Sequence, residues 1–206
     1  VKEYNWKLKF KIRDQAIGLK LNALSKAWGQ KNVALFNCFN TIKFKEKVFK
    51  NIPLYGANVL DFGCSIGCAS FLSSNYGTFG HSISDVPGYP LEVAERSLIN
   101  CGLKVNKIPI EDPSSPPEYE KNEFDIVYCL HTLEHTTNPI KTSQNILKSL
   151  KTGGYLIYTY YKASAPDGIN TKEALEHRAE TLKLLKQSTI STKINSLKPF
   201  IVSIKK

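Results

Sequence analysis

Four acids and two histidines stand where chemistry is possible. The run Val59-Leu60-Asp61-Phe62-Gly63-Cys64-Ser65-Ile66-Gly67 takes two apolar residues into an acid, then sets two glycines four apart. Glycine lets a backbone approach a ligand where a Cβ would clash. The helical pattern that follows puts free N–H groups at a helix start, where an anion is favoured. This turn is therefore suited to a nucleotide-like ligand. A second acid, Asp85, lies 22 residues after Gly63, a distance at which it can accept both hydroxyls of a ribose. Glu111 and Asp112 follow a third apolar run. His131 and His135, in Leu130-His131-Thr132-Leu133-Glu134-His135, can exchange a proton near neutral pH. Either suits a general base, and His135 equally suits a buried role holding its own loop.

Those residues need a scaffold, and the chain alternates strand and helix from Asn58 onward. Alternation of this kind produces a doubly wound, mostly parallel sheet with helices on both faces. Strands are expected at Asn58–Phe62, Thr78–Ile83, Val105–Ile110, Phe124–Leu130 and Tyr155–Tyr160. Helices are expected after Gly67, from Pro90 to Gly102, over Pro139–Leu150 and over Thr171–Lys186. Ile190–Ile194 and Phe200–Ile204 would close the sheet as an antiparallel pair, for seven strands in all. In such a sheet ligands bind at the carboxyl ends of the strands. Asp61, Asp85, Glu111, Asp112, His131 and His135 all fall there.

Ahead of this domain, residues 1–57 read as a basic helical arm, with 58–206 as the ligand-binding domain. Trp6, Phe10, Ile17, Leu21, Leu24 and Trp28 share a stripe over residues 5–28, and residues 35–52 form a shorter helical stretch. Such helices suit covering a cleft or pairing two subunits. The arm holds twelve Lys/Arg against Glu3, Asp14 and Glu46, and the whole chain has a formal net charge of +10. That excess admits a nucleic-acid partner. Only three of the 28 basic residues are Arg, the usual reader of phosphate and base edges, so a solvated lysine-rich surface is the favoured reading. Five scattered cysteines form no C-x-x-C, the first twenty residues lack a signal-peptide pattern, and no run is long enough to span a bilayer. A cytoplasmic setting is expected.

Residues Asp61–Gly67 resemble the first motif of the class I S-adenosylmethionine (SAM)-dependent methyltransferases, acid-x-Gly-x-Gly-x-Gly, with Ser65 replacing the middle glycine. Phe124–His135 resembles the F-D-x-V-x-x-x-x-x-L-E-H segment of the small-molecule group, which includes ubiquinone-pathway and sugar O-methyltransferases. Leu147–Leu156 is similar to that group's L-x-x-L-K-P-G-G-x-L, with Thr152 replacing proline. The resemblance covers residues 58–160 well and the last third loosely.

The resemblance implies a Rossmann-like fold and SAM as cofactor. It implies that the backbone of Gly63, Cys64, Ser65 and Gly67 cradles the methionine part, with Asp61 near its amino group. Asp85 would hold the ribose, Glu111 and Asp112 would lie by the adenine, and Leu130 and His131 would pack on the cofactor. His135 is then expected nearer the acceptor, as the base. The Asn/Asp-Pro-Pro-Tyr tetrapeptide of many amino-group methylases is absent, which favours a small-molecule hydroxyl acceptor of sugar or lipid-precursor type. The alternatives are an RNA methyltransferase guided by the arm and a non-catalytic methyltransferase-like subunit. His131-x-x-Glu134-His135 is similar to the Glu-x-x-Glu-His of metal-dependent RNA 2′-O-methyltransferases, with His177 as a further ligand. The first ligand type differs, so no metal is expected.

Overall fold

The computed structural model describes residues 48–161, 170–192 and 201–206. The chain divides into two units, Val1–Lys43 and Phe44–Lys206, and all the described residues belong to the second. The helix expected over residues 5–28, and most of that over 35–52, lie outside them.

Seven strands form one mixed sheet: β1 (Asn58–Phe62), β2 (Gly80–Asp85), β3 (Val105–Pro109), β4 (Phe124–Cys129), β5 (Leu150–Tyr158), β6 (Thr189–Ser191) and β7 (Ile201–Lys205). Their order is β3-β2-β1-β4-β5-β7-β6. β1 to β5 pair in parallel, and β7 runs antiparallel between β5 and β6. The helices are α1 (Cys68–Ser74), α2 (Tyr89–Asn100), α3 (Pro139–Ser149), α4 (Lys172–Glu176) and α5 (Arg178–Ser188). The strand order reverses direction between β1 and β4, so the ligand crevice of an open sheet opens above their carboxyl ends.

Period-two alternation places successive side chains on opposite faces. Leu60, Phe62, Val127, Cys129, Leu156 and Tyr158 pack on one face with Ile146 of α3 and Leu185 of α5. Val59, Ile126, Tyr128 and Ile157 pack on the other with Ala69 of α1. Val48, Phe49, Ile52, Leu54 and Ala57 join that second layer, so the core begins ahead of β1. Each fully buried residue of this size contributes about 1.5–3 kcal/mol.

Two elements differ from the pattern expected of the sequence. β5 starts at Leu150, before the Gly153-Gly154 pair rather than after it. Phe124 pairs with Leu150 and Ile126 with Tyr155, so extra β5 residues bulge out between them. Gly153 has φ 79°, and a Cβ on Gly154 would lie 2.8 Å from the Lys151 carbonyl oxygen and 2.9 Å from that of Asp125. The glycines shape a bulge, not a loop.

The expected helix Thr171–Lys186 is broken at His177 into α4 and α5. The Ala174 carbonyl would accept from the Arg178 N–H in a continuous helix. Here it accepts from the Tyr160 hydroxyl instead. A side chain from the end of β5 thus competes with the helix ladder, which no local pattern reveals.

Candidate functional site

The turn after β1 is locked to β2. The N–H groups of Gly63 and Cys64 donate to the Ser84 carbonyl at 2.7 and 3.2 Å. Gly63, Ser65 and Gly67 all take left-handed backbone, with φ 71°, 51° and 75°. For Ser65 this is a conformation costing an L-residue about 1–2 kcal/mol. Its N–H then points at Asp85 and donates to Oδ2 at 2.7 Å. Gly63 has no room for a side chain, because a Cβ would fall 2.1 Å from the Thr132 hydroxyl oxygen. Gly67 packs on α2, where a Cβ would meet that of Ala94 at 3.1 Å.

Asp61 is buried, and its Oδ2 accepts from both the N–H and the hydroxyl of Ser70 at 3.0 Å each. The acid therefore ties β1 to the first turn of α1, and one of that turn's free N–H groups is already used. Cys64 turns its thiol under α2, among Ile83, Leu91 and Leu98. Burial pushes that thiol up, with the carboxylates of Asp61 and Asp85 adding to the effect. Only its backbone lines the turn.

Asp85 ends β2 half-buried. Burial raises its pKa, while the N–H groups of Ser65 and Val86 and the nearby charge of His135 act in the opposite sense. A carboxylate has about four lone-pair sites, so two backbone bonds leave acceptor capacity for a diol. Val86 and Tyr89, beside it, are exposed apolar surfaces on which a flat base can pack. Carboxylate, glycine turn and open apolar surface together fit an adenosine-type ligand. Glu111 and Asp112 are exposed beyond β3. Asp112 is engaged by its own loop, accepting from the Ser114 N–H at 2.8 Å and hydroxyl at 2.7 Å, and these bonds hold its carboxyl below the usual range.

The two histidines part company after β4. His135 closes the short 3-10 turn Leu133–His135 and lies near enough to Asp85 to offset part of the rise that burial causes in that acid's pKa, on the β2 side. His131 takes φ 54° and donates its N–H to the Thr159 hydroxyl at 2.6 Å. Its ring stacks on Tyr161, 5.1 Å between centroids and 23° between planes. It belongs to the β5 side. Leu130 packs against the α1 layer and gives its carbonyl to Thr132.

The expected residues of β1, β2 and β4 thus meet at one end of the sheet, whereas Glu111 and Asp112 stand on the exposed loop beyond β3. Sequence reasoning missed Thr132, Thr159, Tyr161 and Arg178. Arg178 donates to the Tyr160 carbonyl through Nη2 at 2.8 Å and to the Tyr161 carbonyl through Nε at 3.2 Å. The one available signal was the aromatic pair Tyr160-Tyr161 at the carboxyl end of β5, where ligands bind. Among the described residues no group of three or more His, Cys, Asp and Glu could hold a metal ion. His177, considered as a further ligand, instead faces Glu180 at 3.8 Å. No described helix is long and apolar enough to cross a membrane.

Residues 33–197 match the family described as "Methyltransferase domain". Among curated proteins, the Ubiquinone biosynthesis O-methyltransferase of Shewanella pealeana is 30% identical over 52% of this chain and 44% of its own length. The protein of that name from Haemophilus ducreyi is 28% identical over 69% of this chain and 62% of its own. The chain spans about half the length of the curated relatives it matches. Among solved structures, a SAM-dependent methyltransferase from Aquifex aeolicus aligns at TM-score 0.58 and 20% identity, over 79% of this chain and 89% of that one. The [4+2]-cyclase SpnF aligns at TM-score 0.57 and 21% identity, over 73% of this chain and 57% of that one. One fold therefore serves more than one chemistry, and the residues of the site must carry the argument about activity. With the glycine turn, the acid ending β2 and the 3-2-1-4-5-7-6 sheet all in place, the chain belongs to the methyltransferase-domain family and has the fold of SAM-dependent methyltransferases.

Proposed function

We propose that the chain transfers a methyl group from SAM to a hydroxyl of a small molecule. The observation that carries this reading is the left-handed turn Gly63–Gly67 delivering the Ser65 N–H to Asp85 at the mouth of the β1–β4 crevice. SAM, when bound, supplies an activated methyl on sulfur. In this reading the backbone of Gly63, Cys64, Ser65 and Gly67 cradles its amino-acid part. Asp61 acts from below, fixing that turn through Ser70 rather than reaching the ligand openly. Asp85 accepts the ribose hydroxyls, and the Val86 surface covers the base. Glu111 and Asp112 stand at the outer rim.

The protein's contribution is mostly alignment, with a proton acceptor for the hydroxyl. His135, which lies near Asp85, is assigned to the ribose side of the site. This departs from its expected place beside the acceptor. The names of the O-methyltransferase relatives support a hydroxyl acceptor over an amine.

The test is calorimetric titration of the whole chain with SAM, followed by transfer of labelled methyl to 3,4-dihydroxybenzoate and to UDP-glucose, a phenolic and a sugar hydroxyl. Saturable SAM binding with transfer to one of them is expected. A folded protein that does not bind SAM overturns the reading.

A further inference from the structure

His131 is an unusual residue in three independent respects. It is one of three non-glycine residues with positive φ among those described. Such a conformation persists only where surrounding contacts over-determine it, and residues of this kind cluster at functional sites. Its N–H is fixed on the Thr159 hydroxyl at 2.6 Å, and Thr159 in turn donates its own N–H to the Cys129 carbonyl at 3.1 Å. Its ring is stacked on Tyr161. Backbone and ring are thus both held from β5, the side away from Asp85.

The neighbours of Tyr161 are fixed as firmly. Its carbonyl accepts from Arg178 Nε at 3.2 Å, and the same guanidinium sits 5.4 Å over the Tyr160 ring. Burial, then the nearby carboxylate of Glu134, raises the pKa of the Tyr161 hydroxyl above its ordinary value. The Tyr161 ring stacks flat against the imidazole. The β1–β2 half of the crevice holds the groups suited to a nucleoside: the Ser65 turn, Asp85 and Val86. A second ligand would then approach from the β4–β5 half, where His131 and Tyr161 stack.

We propose that His131 faces the acceptor hydroxyl and takes its proton, and that Tyr161 is the positioning residue that holds its ring for this task. The inference rests on the methyltransferase reading above. The hydroxyl proton moves to an imidazole nitrogen, and the freed oxygen lone pair bonds the methyl carbon. The carbon–sulfur bond breaks and leaves its electron pair on sulfur. Imidazole as a side chain is suited to such a transfer around neutral pH.

The experiment joins calorimetry with SAM to NMR of histidine-labelled whole chain, in the wild type and in His131→Gln, Tyr161→Ala, Tyr161→Phe and Asp85→Asn. The His131 ring signal is assigned by its loss in His131→Gln. SAM affinity is expected to stay within about twofold in the His131 and Tyr161 variants and to fall about tenfold or more in Asp85→Asn. The His131 signal should lose its ring-current shift in Tyr161→Ala and keep it in Tyr161→Phe. Adding 3,4-dihydroxybenzoate to protein saturated with S-adenosylhomocysteine should move the His131 signal and leave that of His135 in place.

A tenfold loss of SAM affinity in His131→Gln or Tyr161→Ala puts the pair on the cofactor and overturns the proposal. So does a His131 ring that is indifferent to loss of Tyr161 or stays unmoved by dihydroxybenzoate. Should Tyr161→Ala not fold, Tyr161→Phe and the wild-type titrations decide alone. Failure of the methyltransferase reading would look different, since the wild type itself would then not bind SAM.

Discussion

The two halves of the crevice are built by different means. The β1–β2 half is made of backbone: three left-handed residues, two N–H groups on one carbonyl, and an acid accepting two N–H groups. The β4–β5 half is made of side chains contributed from distant positions: His131, Thr159, Tyr161 and Arg178. A backbone site needs particular residues at particular spacings, because only glycine fits some of its positions. A side-chain site can be assembled from many residue types, provided that packing brings them together. The first half is therefore rigid and recognisable, and the second is free to differ with the acceptor.

The largest expected effect tests how rigid the glycine turn is. Gly63→Ala places a Cβ against Thr132 at a φ of 71°, and should cost about 3 kcal/mol or more in denaturant unfolding. Adding Thr132→Gly removes the clash but not the strained φ, so it should recover only part of the loss. Full recovery would mean that the turn adjusts and that the two halves do not differ in rigidity.

The next effect concerns pH. His81, buried in β2 with Thr78 Oγ1 at 2.9 Å from its Nε2, has its pKa lowered to about 4 by burial. The ordinary value is near 6.5, so the unfolded chain binds this proton at a pH where the folded chain refuses it. The stabilisation from a neutral His81 is complete above about pH 6.5, declines as the pH falls towards 4, and is gone below that. Unfolding free energies from urea titrations should fall over that window by up to about 3 kcal/mol, and His81→Gln should flatten the curve. A pH-independent midpoint in the wild type would contradict the buried neutral state.

The contrast between ligand halves is sharpened by Asp85→Asn. SAM affinity should weaken by about 1–3 kcal/mol with stability nearly kept, the usual loss for a charge-assisted hydrogen bond. Unchanged affinity would remove Asp85 from the cofactor's half. The smallest effect is Ser65→Gly. Relief of the left-handed strain, less glycine's greater freedom in the unfolded chain, should raise stability by under about 1 kcal/mol. A loss of stability would show that the serine side chain contributes more than its strain costs.

Much of the fold and about half of the site were legible in the residues, and the reason lies in range. β1 was read to its ends, and β2 to β4, α2 and α3 to within two residues, because period, caps and breakers are local. The break at His177 was not, since the Tyr160 hydroxyl that captures the Ala174 carbonyl comes 14 residues earlier in the chain. The Gly153-Gly154 bulge likewise depends on the Asp125 carbonyl of another strand.

By itself the sequence determined the alternation that makes the sheet, the strand–turn–helix at Gly63–Gly67, and the acid at the end of β2. Each is encoded within a few consecutive residues, where steric limits on the backbone leave little choice. Only the tertiary structure decided that Asp61 serves α1, that His135 sits with Asp85, and that His131 turns to Tyr161. Only three residues separate the two histidines, yet they belong to different halves of the crevice. Which way a side chain turns after a strand depends on hydrogen bonds and ring contacts from other strands, and those partners are set only once the sheet has closed.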